Sequence, residues 1–167
     1  MKFATTIFAL LLVPSVAGAS VTKDLKAAVH KAISAALDDA QATVELQSLR
    51  ASLPGALKTA RSVVSVELLP GEKPFGQVTL RATLAMRGGS QQSLFIMADA
   101  DVKVPVWVAS RRISRQAPLN EAVLVTEKRS LLGLSPHALR ANRSIKGMLA
   151  ARMVNKGQIL TRSMTTT

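Results

Sequence analysis

The side chains able to do chemistry are few and widely separated. The chain has two histidines and no cysteine. The lack of cysteine excludes disulfides, thiolate zinc sites, iron–sulfur clusters and a cysteine nucleophile. His30 and His137 fall in different segments, and neither has an Asp or Glu at the spacing of a helical metal-ligand pair. His30, beside Lys31, reads as a solvated helix residue. Two carboxylate pairs, Asp38-Asp39 and Asp99/Asp101, could share a proton in acid–base work. Asp99 and Asp101, however, alternate with Ala98, Ala100 and Val102, the pattern of a solvated strand face. There is no Gly-x-Ser-x-Gly elbow and no P-loop. Asn142-Arg143-Ser144 matches a glycosylation sequon, a match too short to carry weight. Catalysis is therefore not expected, and no metal or cofactor is implied. What remains is binding chemistry. Trp107, with Arg111 and Arg112 close behind, joins an aromatic surface to two cations, the residue types enriched at interface hot spots. Those three are the candidate partner-binding residues.

The elements that must position them begin after an export signal. Met1-Lys2 is a short positive start, and Phe3 to Val13 is apolar apart from Thr5 and Thr6. Pro14 breaks the run, and Ala17-Gly18-Ala19 offers small residues for cleavage before Ser20. This is the three-part layout of a secretory signal peptide over residues 1–19. The apolar run is shorter than the ~20 residues a membrane-spanning helix needs. No Cys follows for a lipid anchor. The expected location is the periplasm, with no membrane span once the signal is removed.

Export reinterprets the charge. The 167-residue chain carries 22 Lys and Arg against 10 Asp and Glu, a net +12. Sequence-tolerant nucleic-acid binders need aromatic platforms on which bases stack. Beyond the leader only Phe75, Phe95 and Trp107 are aromatic, so nucleic acid is excluded as the partner. The surplus is also uneven. From Val104 onward Glu121 and Glu127 are the only acids among many scattered Lys and Arg, whereas residues 20–103 are nearly balanced. A basic surface outside the cytoplasm would meet acidic proteins, wall polymers or membrane surfaces.

Val21, Leu25, Val29, Ile33 and Leu37 recur every four residues and predict an amphipathic helix, with Thr22 as its N-cap and Asp24 in its first turn. The period then becomes two. Thr43–Gln47 alternates, Ser52–Gly55 punctuates, and Val64, Val66 and Leu68 alternate again. Val78, Leu80, Ala82, Leu84 and Met86 share one face of a longer strand. Gly88-Gly89 signals a hairpin turn, and the return strand puts Leu94, Ile96, Ala98, Ala100 and Val102 on one face. One face of this hairpin should be wet and the other covered by the helix. The fold class expected is α+β: a small helix-plus-antiparallel-sheet domain over 20–103, then a second module over 104–167. Trp107 is out of phase with Val104, Val106 and Val108, so it either packs at the junction of the modules or stands as an anchor for a partner.

The second module carries a resemblance. Val106–Arg115 looks like the opening strand of a SAF domain, the β-clip module, and Ala117–Val123 like the segment that follows it. A second, similar pass runs from Ile145 to Thr161. It resembles the family's G-x-x-A-R-x-x-x-x-G-x-x-L signature, with Gly157 permitting the tight turn. The order of signal, α+β domain and SAF-like β-clip module is similar to that of the FlgA family of flagellar P-ring formation proteins. Two departures stand out. Gln116-Ala117 occupies the place where the family has a basic residue and Gly, which predicts an altered first turn. The family also continues with a further β-rich domain past the segment matching Arg162-Ser163-Met164. The expectation is thus a chain lacking that C-terminal β domain, through shortening or an interrupted frame.

The resemblance implies a non-catalytic periplasmic chaperone that binds the flagellar P-ring subunit by strand addition and apolar contact. The alternative is a periplasmic peptidoglycan- or carbohydrate-binding module, and pilus-assembly SAF proteins are the nearest confusable group.

Overall fold

The structure is a computed structural model that describes the backbone of residues 17–37 and 39–167, and the side chains of that span from Ser20 onward. The expected leader lies outside the described residues apart from the backbone of 17–19, and so does Asp38. The fold is α+β, and every strand pairing described is antiparallel.

Helix α1 spans Ala17–Ala35. Val21, Leu25, Val29 and Ile33 form its inward stripe, none more than 1% exposed. Each such side chain contributes about 1.5–3 kcal/mol by leaving water. Thr22 does not cap this helix. The described helix already includes Ala17–Val21, so Thr22 and Asp24 lie inside it.

Strands β1 (Thr43–Ala51), β2 (Ala60–Leu68), β3 (Gly76–Met86) and β4 (Gln91–Ala109) pair in the order β1-β4-β3-β2. A short helix, α2 (Pro54–Thr59), stands where the sequence shows only punctuation; Pro54 suits a first helical turn. The hairpin of β3 and β4 has the expected phase. Val78, Leu80, Ala82 and Leu84 on β3, and Leu94, Ile96, Ala98, Ala100 and Val102 on β4, are buried against α1. At the turn Met86 N–H donates to Ser90 O (2.8 Å), and Gly89 takes φ 84°, a left-handed conformation open to glycine. The opposite face is open, with Phe95 and Met97 47% and 54% exposed among polar neighbours.

β4 is the organising strand. Lys103 pairs with Thr43 of β1 and also with Ser130 of β5 (Leu124–Ser130), so β4 passes from one set of neighbours to the next. Its alternation serves two cores. Val104, Val106 and Val108 belong to the helix-and-sheet cluster, whereas Ala109 and the half-buried Trp107 belong to a second cluster with Ile113, Leu119, Leu124, Val154 and Leu160.

Around that second cluster the chain makes two interlocked, equivalent passes. Ile113 and Val154 exchange backbone hydrogen bonds (2.8 and 3.0 Å) at the centre. Gln116 N–H donates to Ala150 O, and its counterpart Gly157 N–H donates to Ala109 O, both at 2.7 Å. Leu119 donates to Met148 O and Leu160 to Trp107 O, both at 2.9 Å. Ser110 donates to Val123 O (3.0 Å) and Ala151 to Met164 O (2.9 Å). The residue offset is constant throughout, so one pass is a copy of the other, closed by β6 (Leu149–Ala150) and β7 (Thr165–Thr166). The predicted alteration of the first turn is therefore corrected. Gln116 adopts φ 63°, beside φ 78° at Gly157, and the turn keeps its hydrogen bonds. The glycine-like position is Gln116, preceded by the basic Arg115, rather than Ala117.

Candidate functional site

Trp107 lines an open groove of about 730 Å³. Its position follows from strand phase: Val106 and Val108 turn to the first core, so Trp107 turns to the other side. Its backbone is fixed on both sides, donating to Leu139 O (3.1 Å) and accepting from Leu160 N–H (2.9 Å). Its indole Nε1–H donates to Arg143 O at 3.3 Å. That bond ties the strand to the loop that forms the far wall.

Two turns complete the groove. One wall is the Leu119–Ala122 segment, where Asn120 Oδ1 accepts the Ala122 N–H (3.0 Å) and Asn120 O accepts from Val123 (3.1 Å). The other is the loop after Arg140, where Arg143 N–H donates to Arg140 O (3.1 Å) and Ser144 Oγ accepts from Lys146 N–H (3.2 Å). Leu119 and Ile145 are buried beneath, and Glu121, Arg143 and Lys146 stand exposed at the rim. The arrangement has an apolar, aromatic floor and a rim with two cations and one acid. It suits an apolar side chain flanked by carboxylates.

Arg111 and Arg112 do not line this groove. Both are exposed just past the end of β4. Arg112 lies over the centre of the two passes, with Nε 3.0 Å and Nη2 2.7 Å from the sulfur of its counterpart Met153. The structure sets Trp107 in one groove with Arg143 and Lys146, which sequence reasoning did not single out. The polar run Asn142–Lys146 was the available signal, and only folding sets it opposite Trp107.

The remaining candidates stay apart. His30 is exposed on α1, 3.5 Å from Ser34 Oγ, and His137 is exposed in the loop before Ala138. Asp101 belongs to a surface cluster: Lys103 Nζ donates to both Glu45 oxygens at 2.9 Å and lies 3.8 Å from Asp101. The hydrogen bond to Glu45 leads in raising the Lys103 pKa above the ordinary lysine value. Among the described residues no three His, Asp or Glu side chains gather as metal ligands, and no helix is long and apolar enough to cross a membrane.

No protein-family model and no curated protein sequence matches the chain. Solved structures do. The monoclinic crystal structure of Salmonella FlgA in closed form superposes with a TM-score of 0.53 at 19% identity, over 86% of this chain and 68% of that one. Salmonella FlgA in open form gives 0.52 at 19% identity, over 86% of this chain and 64% of that one. The chain therefore spans about two thirds of the length of each. Helix, five-stranded sheet and interlocked second module together have a FlgA-like fold.

Proposed function

We propose that the chain is an exported, non-catalytic chaperone that acts in the periplasm and binds the flagellar P-ring subunit before it assembles. The observation that carries this reading is the FlgA-like fold over 86% of the chain. The groove at Trp107 supplies a contact surface of the right character. Its apolar floor takes an anchoring side chain, and its basic rim, with Arg111 and Arg112 nearby, favours acidic neighbours on the client. Strand addition at the sheet edges is the weaker route. β1 and β2 each carry irregular register, between Leu46/Ser48 and at both Ala60/Ser62 and Val63/Ser65, and such bulges blunt an edge against further pairing.

The test is retention of purified P-ring subunit on the immobilised chain. Trp107→Ala should weaken retention by about 2 kcal/mol, roughly thirty-fold in affinity, and Arg111→Ala and Arg112→Ala by less. Binding anchored in the apolar floor should persist at ~0.5 M salt, where charges beyond about 4–5 Å are screened. Retention that vanishes there, together with salt-sensitive sedimentation on peptidoglycan, would favour a wall-binding module instead.

A further inference from the structure

Asp39 stands just past the end of α1, yet its side chain is only 7% exposed. It lies in a small cleft whose wall includes Leu37, Val104 and Leu139. One carboxylate oxygen, Oδ1, accepts the Gln41 N–H at 3.0 Å. The other, Oδ2, is buried and makes no hydrogen bond to any described residue. A buried, charged acceptor without a donor is costly, so another interaction must offset it. That interaction is with the Arg140 guanidinium. Its Nη1 lies 3.7 Å from Oδ2, an ion pair too long for a hydrogen bond. A pair held among apolar walls is screened far less by salt than one on the surface.

Arg140 begins a series of contacts that ends on Trp107. Its backbone bridges to Val106, the residue before Trp107. Arg140 O accepts the Arg143 N–H (3.1 Å), and Arg143 O accepts the Trp107 indole Nε1–H (3.3 Å). Neither Asp39 nor Arg140 lines the Trp107 groove itself. We propose that Asp39 is a positioning residue for that groove: through Arg140 it fixes the Arg140–Arg143 turn, and the turn fixes the Trp107 indole. The indole bond is long, so a small shift of the turn breaks it. The inference deepens the chaperone reading and rests on it, because it takes Trp107 as the client's anchor point. A carboxylate at the end of α1 thereby sets the shape of a binding surface on the second module. The two ends of the ion pair are unequal. The Arg140 side chain is 33% exposed and can turn to water when Asp39 is neutralised. Asp39 has no such exit, so losing Arg140 leaves a buried charge uncompensated.

The test uses the full chain, with Trp107, its single tryptophan, as reporter. Asp39→Asn keeps the side chain's shape and removes its charge. It should shift Trp107 emission to the red and raise its quenching by acrylamide, because the freed turn releases the indole N–H. Leu80→Ala weakens the first core away from this series of contacts, and should change neither reading in the native state. Arg140→Met should lower the urea midpoint more than Asp39→Asn does, and the double variant should recover part of that loss, since the two residues act as a pair. Retention of the P-ring subunit should fall about three- to tenfold in Asp39→Asn, short of the loss in Trp107→Ala. Trp107 emission and quenching that Asp39→Asn leaves unchanged, or that Leu80→Ala changes equally, would overturn the proposal. So would Asp39 and Arg140 variants whose effects on the midpoint simply add. A parent chain that retains no subunit refutes the chaperone reading alone, because the fluorescence and urea measurements need no client.

Discussion

Replacing Gln116 with glycine should make the protein more stable. Gln116 is the only non-glycine residue with positive φ among the described residues, at 63°. The left-handed region costs an L-residue about 1–2 kcal/mol, whereas glycine enters it freely. Glycine adds freedom to the unfolded chain, which costs about 0.5–1 kcal/mol in return. The Gln116 side chain is exposed, and its backbone N–H, bonded to Ala150 O at 2.7 Å, is kept in the variant. The net gain is then about 0.5–1 kcal/mol, or ~1–4 °C in Tm for a chain of this size. Trp107, the single tryptophan, is packed in the same cluster and reports unfolding by fluorescence in urea. The midpoint should rise with unchanged slope. The converse variant, Gly157→Ala, should lose about 1–2 kcal/mol from backbone strain alone, since a Cβ there meets nothing within 4 Å. A lower midpoint for Gln116→Gly would refute the equivalence of the two turns.

Leu80→Ala, at a fully buried site between sheet and helix, should cost about 2–5 kcal/mol by urea denaturation. Ile96→Val on the neighbouring strand should cost only about 0.5–1.5 kcal/mol, and a larger loss would mean the core tolerates less relaxation than an aliphatic sheet face should. The raised Lys103 pKa gives a pH test with a definite sign. A raised folded-state value adds stability that is present below the ordinary lysine pKa of 10.5 and is lost as pH climbs through the raised value. Lys103→Met should therefore flatten the fall of the denaturation midpoint above about pH 10.5, leaving the curve below it parallel to that of the parent.

Periodicity carried most of the first core into view. The four-residue recurrence from Val21 to Ile33 and the alternation through β3 and β4 name the buried side chains, because burial on one face leaves its period in the sequence. Thr22 read as a cap because it has a capping side chain, whereas the helix already runs through the residues just before it. Trp107 was legible as out of phase with its neighbouring valines. The loop that walls its groove was not, since Asn142–Lys146 has no period and meets Trp107 only after the two passes interlock. Asp39 was legible as a carboxylate beside Asp38 but its burial was not: its side chain is 7% exposed, in a cleft also lined by Leu131 and Leu139, far along the chain. Gln116 shows the opposite limit: residue type argued against a left-handed turn, and the surrounding hydrogen bonds imposed one.

The most direct measurement is sedimentation velocity of the chain mixed with purified P-ring subunit at ~0.5 M salt, where scattered surface charge no longer holds proteins together. The account predicts a discrete complex that is weakened by Trp107→Ala. Two separate species that sediment as each does alone would contradict it.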